Sequence, residues 1–174
     1  MTTKITDRRF FNLPALELAE ALLGKIFVHG TEDGRLIRRR ITEVEAYCGR
    51  EDTACHAHKG LTKRTAPMFE EGGILYVYLC YGIFDLLNIV SGKKDEPEAV
   101  LIRGVEGATG PGRVSRVLEI TRALNRENLT VSPHVWLEDD GFRPAPEGIQ
   151  RLKRVGISYA AQEDREKPWR LRIN

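Results

Sequence analysis

Glu45 is the first residue whose setting suggests chemistry. It stands between Val44 and Ala46, two places before Tyr47, at the end of a run that reads as a strand. A carboxylate among apolar and aromatic neighbours loses solvation, so its proton is held more tightly and it suits general-base work. The plainer reading is a strand-end glutamate facing water. Tyr76, Tyr78 and Tyr81 form an aromatic strand and turn. Alternation sends Tyr76 and Tyr78 to one face and Tyr81 to the other. One of the three is expected to pack in the core. Tyr81, beside the turn glycine Gly82, is harder to bury, and an exposed aromatic at a hairpin tip can wedge between base steps.

His56 and His58 lie in a basic loop with Lys59, Lys63 and Arg64. A metal site would have to join Cys48, Cys55, His56 and His58, whose spacing matches no standard zinc pattern, so no metal is expected. Gly110-Pro111-Gly112-Arg113 opens a helix. Free N–H groups and an arginine there would suit a phosphate, and an ordinary loop-to-helix junction is the alternative. Four of the five tyrosines, all three cysteines and two of the four histidines fall between Tyr47 and Tyr81. The site is therefore expected in that region.

The elements that must position these residues read as follows. Asn12 caps a helix with Pro14 in its first turn, carrying Leu16, Ala19, Leu22 and Leu23 until Gly24. Strands are expected at Lys25–His29, Leu36–Tyr47, Ile74–Tyr81, Phe84–Val90 and Ala99–Glu106. On a regular strand Ile41, Glu43, Glu45 and Tyr47 share a face. A loop covers Cys48 to about Gly73. The helix after Gly110 buries Val114, Val117, Leu118, Thr121 and Leu124. Short strands close the chain near Val135–Leu137, Arg154–Ile157 and Trp169–Ile173, with a Pro144/Pro146 loop between the first two. Helices and strands intersperse without a βαβ rhythm, which predicts an α+β fold with a mostly antiparallel sheet.

With 174 residues, the chain is sized for a single domain over 1–174. Its 27 basic and 25 acidic residues nearly cancel to +2. That permits nucleic-acid binding and argues against histone-like coating. No apolar run of about 18 residues offers a membrane span, and the polar start lacks a secretory h-region. Three cysteines leave at least one unpaired, as suits a reducing compartment. An intracellular protein is expected, cytoplasmic and nucleoid-associated if bacterial.

Read in order, the chain resembles the alkyladenine (3-methyladenine, methylpurine) DNA glycosylases. The resemblance rests on Ile41-Thr-Glu-Val-Glu-Ala-Tyr47, Gly49-Arg-Glu-Asp52, His56, Thr62-Lys-Arg64, Met68-Phe69 and Leu75-Tyr-Val-Tyr-Leu-Cys-Tyr-Gly82. Asn88, Val100-Leu-Ile-Arg103, Gly110-Pro111, Val135-Trp-Leu137 and Arg154-Val-Gly156 continue it. It implies a curved sheet with a protruding, DNA-inserting β-hairpin. It implies a monofunctional glycosylase of base excision repair that needs no cofactor. Such an enzyme flips alkylated or deaminated purines from duplex DNA and leaves an abasic site. Glu45 would activate water, with Arg103 beside it and near the phosphate of the flipped nucleotide. Ala46, Tyr47, His56, Tyr78 and Asn88 would form the base pocket, Asn88 helping to reject normal guanine. Tyr81 would fill the gap in the duplex. Arg64, Gly110, Gly112 and Arg113 are the expected DNA-backbone contacts. The partner would be double-stranded DNA with damaged purines, bound by a monomer.

Thr65, Glu70-Glu71, Ile83 and Asp85 depart from the family pattern, which bears on DNA affinity and substrate range. Two other classes share the ingredients. A damaged-DNA binding module would not need Glu45, and a nucleoside hydrolase would not need Tyr81. Lys59 or Lys63 could form a Schiff base, but the family pattern argues against it.

Overall fold

A computed structural model describes residues 1–173; Asn174, the last residue of the expected domain, lies outside the described residues. The elements are β1 (Thr3–Lys4), α1 (Ala15–Leu22), β2 (Ile26–Gly30), β3 (Leu36–Tyr47), β4 (Leu75–Cys80), β5 (Phe84–Ser91), β6 (Glu98–Val105) and β7 (Ala108–Thr109). They continue with α2 (Pro111–Val117), β8 (Val135–Asp139), β9 (Ile149–Leu152), α3 (Gln162–Glu166) and β10 (Arg170–Ile173). The strands form one antiparallel sheet in the order β1-β8-β2-β3-β6-β5-β4; β10 joins β3, β9 joins β10 and β7 joins β6. The sheet is open, and the single α+β domain with a mostly antiparallel sheet is the architecture expected from the sequence.

Alternation along the central strands gives the sheet two unlike faces. Leu75 and Val77 of β4, Leu87 and Ile89 of β5, and Val100 and Ile102 of β6 enter the main core. Helices α1 and α2 cover that face, α1 against β3 and β6 and α2 against β5 and β6. In α1 the buried residues Ala15, Leu18, Ala19 and Leu22 recur at helical spacing. The other face carries Tyr76, Val90 and Ala99, packed against Cys55, Ala57, Met68 and Phe69. Those last residues come from the long segment after β3. It is organised by tight turns at Gly49–Glu51, His56–Lys59 and Ala66–Phe69.

Several local expectations give way to tertiary structure. The N-cap residue of α1 is Pro14. Its Ala15 N–H is met by Glu98 Oε2 at 2.6 Å, from a strand 83 residues away. Asn12 instead donates to Glu71. Helix α2 ends at Val117, where Glu119 turns back at φ 53° so that Ile120 can bury. Thr121 is exposed, and Arg122–Leu124 forms a separate turn. No strand forms at Arg154–Ile157; β9 lies earlier, because Arg154 and Val155 are taken up by side-chain partners described below.

Strand β3 also departs from simple alternation. Its register against β6 slips twice: Ile41 faces Val105, Glu43 faces Gly104, and Val44 faces Ile102. Thr42 on β3 and Arg103 on β6 are the unpaired extra residues. Such bulges re-aim side chains. Here Ile41 joins Val44 and Ala46 in the core rather than sharing the face of Glu43, Glu45 and Tyr47.

Candidate active site

A cavity of about 380 Å³ opens between the polar-face residues of β4, β5 and β6, the turns after β3, and the segment after β9. Tyr47, His56, Tyr76, Tyr78, Asn88 and Arg103 line it. Parity puts them there: Tyr76 and Tyr78 alternate with core residues on β4, as Asn88 does on β5 and Arg103 on β6. His56 and Tyr78 meet edge to face, ring centroids 4.7 Å apart. His56 Nδ1 lies 2.9 Å from the Tyr76 hydroxyl. Burial pushes the His56 pKa down to about 4, helped by the nearby charges of Arg64 and Lys59, so the ring is neutral at pH 7. Asn88 Nδ2 donates to Tyr76 O at 3.1 Å, which fixes the orientation of its amide.

Glu45 lies behind this wall and is fully buried. Its Oε2 accepts from the Tyr47 hydroxyl at 2.8 Å, and its Oε1 accepts from the Val155 N–H at 2.8 Å. Arg103 Nε stands 3.8 Å from Oε1. Burial raises the Glu45 pKa above the usual carboxylate value; the two hydrogen bonds and the guanidinium groups of Arg103 and Arg170 oppose that rise.

Arg154, part of the resemblance but given no role by it, braces this arrangement. Its Nη1 donates to Ala46 O at 2.9 Å and to Asp52 Oδ2 at 2.6 Å, and its Nη2 donates to Asp52 Oδ1 at 2.9 Å. The guanidinium also faces the rings of Tyr47 and Trp169. It thus fixes the segment whose next residue, Val155, holds Glu45. In one dimension nothing pairs Arg154 with an aspartate 102 residues earlier.

The hairpin rises at the cavity rim. Ile83 N–H reaches Cys80 O at 3.1 Å. Both residues between them have positive φ, Tyr81 at 51° and Gly82 at 68°. That is the turn class matched to the twist of paired strands. Tyr81 therefore lies beyond the strand's alternation. It lines the cavity mouth together with Tyr78 and is 87% exposed. Ile83, Leu79 and Phe84 add exposed apolar surface beside it.

The other expected site residues fall in different places. Ala46 points into the core, and its N–H and C=O are already bonded to Trp169 O and Arg154. The alanines at the cavity wall are Ala54 and Ala99. Arg64 lies over the Tyr78 ring at 5.1 Å, at the cavity edge. Gly110, Gly112 and Arg113 lie outside the cavity lining, which Pro111 reaches. A Cβ on Gly112 would come within 2.8 Å of the Phe84 ring, so this glycine admits the base of the hairpin against α2. Among the described residues, no group of three His, Cys, Asp or Glu side chains is arranged to hold a metal ion.

A family model for "Methylpurine-DNA glycosylase (MPG)" matches residues 9–110 and 106–174. The chain belongs to the methylpurine-DNA glycosylase family. That family consists of hydrolases acting on N-glycosyl bonds. Relatives provisionally named 3-methyladenine DNA glycosylase agree. One from Methanocella arvoryzae is 40% identical over 96% of this chain and 91% of its own length. Others come from Psychrobacter cryohalolentis (36%, over 99% and 92%) and Chlorobium phaeobacteroides (42%, over 86% and 83%).

The family pattern's departures have local partners. Thr65 is buried and hydrogen-bonds Gly60 O and Thr62 N–H, tying the loop. Glu70 pairs with Arg126, and Glu71 with Asn12 and Arg8. Asp85 pairs with Arg122. No helix among the described residues is long and apolar enough to cross a membrane.

Proposed function

We propose that the protein is a monofunctional DNA glycosylase of base excision repair. It flips a damaged purine from duplex DNA into the cavity and hydrolyses the N-glycosidic bond with water activated by Glu45. The observation that carries this reading is a buried carboxylate set behind an aromatic-walled cavity of about 380 Å³, with an exposed tyrosine at its mouth. A base inside the stack is beyond reach of any carboxylate, so extrusion is required. Tyr81 has the exposure and position to fill the space the base leaves.

Within the cavity Tyr47, Tyr78 and His56 would sandwich the purine. Electron-rich rings favour the cationic alkylated bases. Asn88, its amide held by Tyr76 O, would present the wall that the 2-amino group of guanine meets. The bond between C1′ and the base nitrogen breaks, its electron pair leaving with the purine. Positive charge develops on the sugar, as in glycoside hydrolysis. Ionised Glu45 takes a proton from water as the water oxygen bonds C1′. Arg103 would sit near the phosphate of the flipped nucleotide. The cavity lining contains no lysine among the described residues, which favours water over a Schiff base as nucleophile. The partner is duplex DNA with alkylated or deaminated purines, and the chain acts as a monomer.

The test uses a duplex with one hypoxanthine and a second with an alkylated purine. Release of free base, with alkali-labile sites and no borohydride-trapped protein–DNA adduct, is expected. Tight duplex binding with no base released from either substrate would overturn the enzymatic reading in favour of a binding module. Hydrolysis of free nucleosides alone would overturn the DNA substrate.

A further inference from the structure

Two buried carboxylates stand on the same face of β3. Glu43, two residues before Glu45, is 2% exposed. Its Oε1 accepts from Arg170 Nη1 at 2.9 Å and lies 3.2 Å from Arg103 Nε. The same Arg103 nitrogen is 3.8 Å from Glu45 Oε1 and makes no hydrogen bond. Arg103 faces the cavity side by alternation with Ile102, and as the extra residue of the β6 bulge it stands within ion-pair reach of both carboxylates. Arg170 comes from the opposite side, where β10 pairs it with Glu45. The crowding is tight: a Cβ on Gly104 would lie 2.8 Å from the Glu43 Cβ, so glycine is required opposite it.

A carboxylate buried this completely is costly unless paired. Around Glu45 the charged and titratable groups are Glu43 and Tyr47 on β3, Arg103 on β6, Arg170 on β10, and Tyr159 in the segment after β9. Two guanidinium groups thus face two carboxylates. Remove the charge of Glu43, and both would have Glu45 as their remaining partner. Glu45 would then be held ionised more firmly, which makes it a weaker base.

We propose that Glu43 is a positioning residue: it engages Arg103 and Arg170 so that Glu45 is not consumed as their ion-pair partner. This rests on the reading of Glu45 as the base, yet it has its own readout. Glu45 would be titrated by carboxyl carbon NMR in the free protein, for the parent, Glu43→Gln, Glu43→Asp and Arg170→Gln. Single-turnover excision of hypoxanthine would be followed against pH in parallel.

In Glu43→Gln the Glu45 titration is expected to fall by about one pH unit, the scale of a neighbouring charge. The acid limb of excision should move down with it, and the plateau should drop by at most about tenfold, the Brønsted ceiling for a one-unit loss of basicity. Glu43→Asp keeps the charge and should restore most of the titration point. Arg170→Gln, which also serves if Glu43→Gln does not fold, should move Glu45 upward. An unmoved Glu45 in folded Glu43→Gln, or in Arg170→Gln if that alone folds, overturns the proposal. A moved titration with no excision by any protein upholds the carboxylate pairing and overturns the glycosylase reading instead.

Discussion

Burial drives Glu45 and His56 in opposite directions, and both shifts favour the uncharged form. In the proposed mechanism the ionised form of Glu45 is the active one. Excision should therefore rise with pH through a point above the ordinary glutamate value of about 4.3. A pH profile of single-turnover rate checks this, and a limb at or below that value would contradict it. For His56 the consequence is stability. Its folded-state pKa is depressed, so the unfolded chain takes the proton first as pH falls. Stability is retained above about 6.5 and lost as pH falls towards about 4. His56→Gln should flatten the fall in melting temperature between those limits. Arg154 is structural at the same scale. Arg154→Met leaves Asp52 buried without its partner, and loss of about 3–5 kcal/mol is expected in denaturant unfolding. Through the family resemblance, Tyr47, His56, Tyr78, Asn88 and Arg103 were legible as residues gathered at one cavity, with Glu45 buried behind it. Arg154 was not, since its meaning lies in Asp52, Ala46 and Tyr47, contacts that exist only after folding.

Elements decide which way those residues point. The strand cores were readable from β-branched and aromatic runs, and β3 matches its expected span of Leu36–Tyr47. The two register slips were not, because a bulge is a property of paired strands rather than of either alone. They put Ile41 in the core and bring Glu43 opposite Gly104, next to Arg103. Likewise the carboxylate that Glu98 supplies to accept the Ala15 N–H at the start of α1 could not be seen from Asn12 and Pro14. The hairpin carries its own prediction. Tyr81 occupies a left-handed conformation at φ 51°, a region costing a non-glycine residue about 1–2 kcal/mol. Tyr81→Gly should relieve that strain and lose little packing, so the melting temperature should not fall. Its excision rate should still drop by about tenfold or more, since a wedge repays a few kcal/mol of unstacking. Equal activity in the glycine variant would remove Tyr81 from the flipping step.

Over the whole molecule, a net charge of +2 gives no general attraction to DNA. Affinity must come from local placement, and the acidic residues near the expected interface are locally paired: Glu70 with Arg126, Glu71 with Arg8, Asp85 with Arg122. Duplex binding should weaken steeply between about 50 and 200 mM salt, as phosphate contacts require. A flat response in a binding titration would argue for a small-molecule substrate. The sheet holds the cavity on one face and the main core on the other, with the hairpin at the cavity rim and the paired carboxylates behind its wall. The deciding measurement compares the parent with Glu45→Gln on a hypoxanthine duplex, with binding measured on the same samples. The expected result is unchanged affinity and loss of excision by at least about a hundredfold, the scale of general-base catalysis. Excision by Glu45→Gln at the parent's rate would show that Glu45 is not the base.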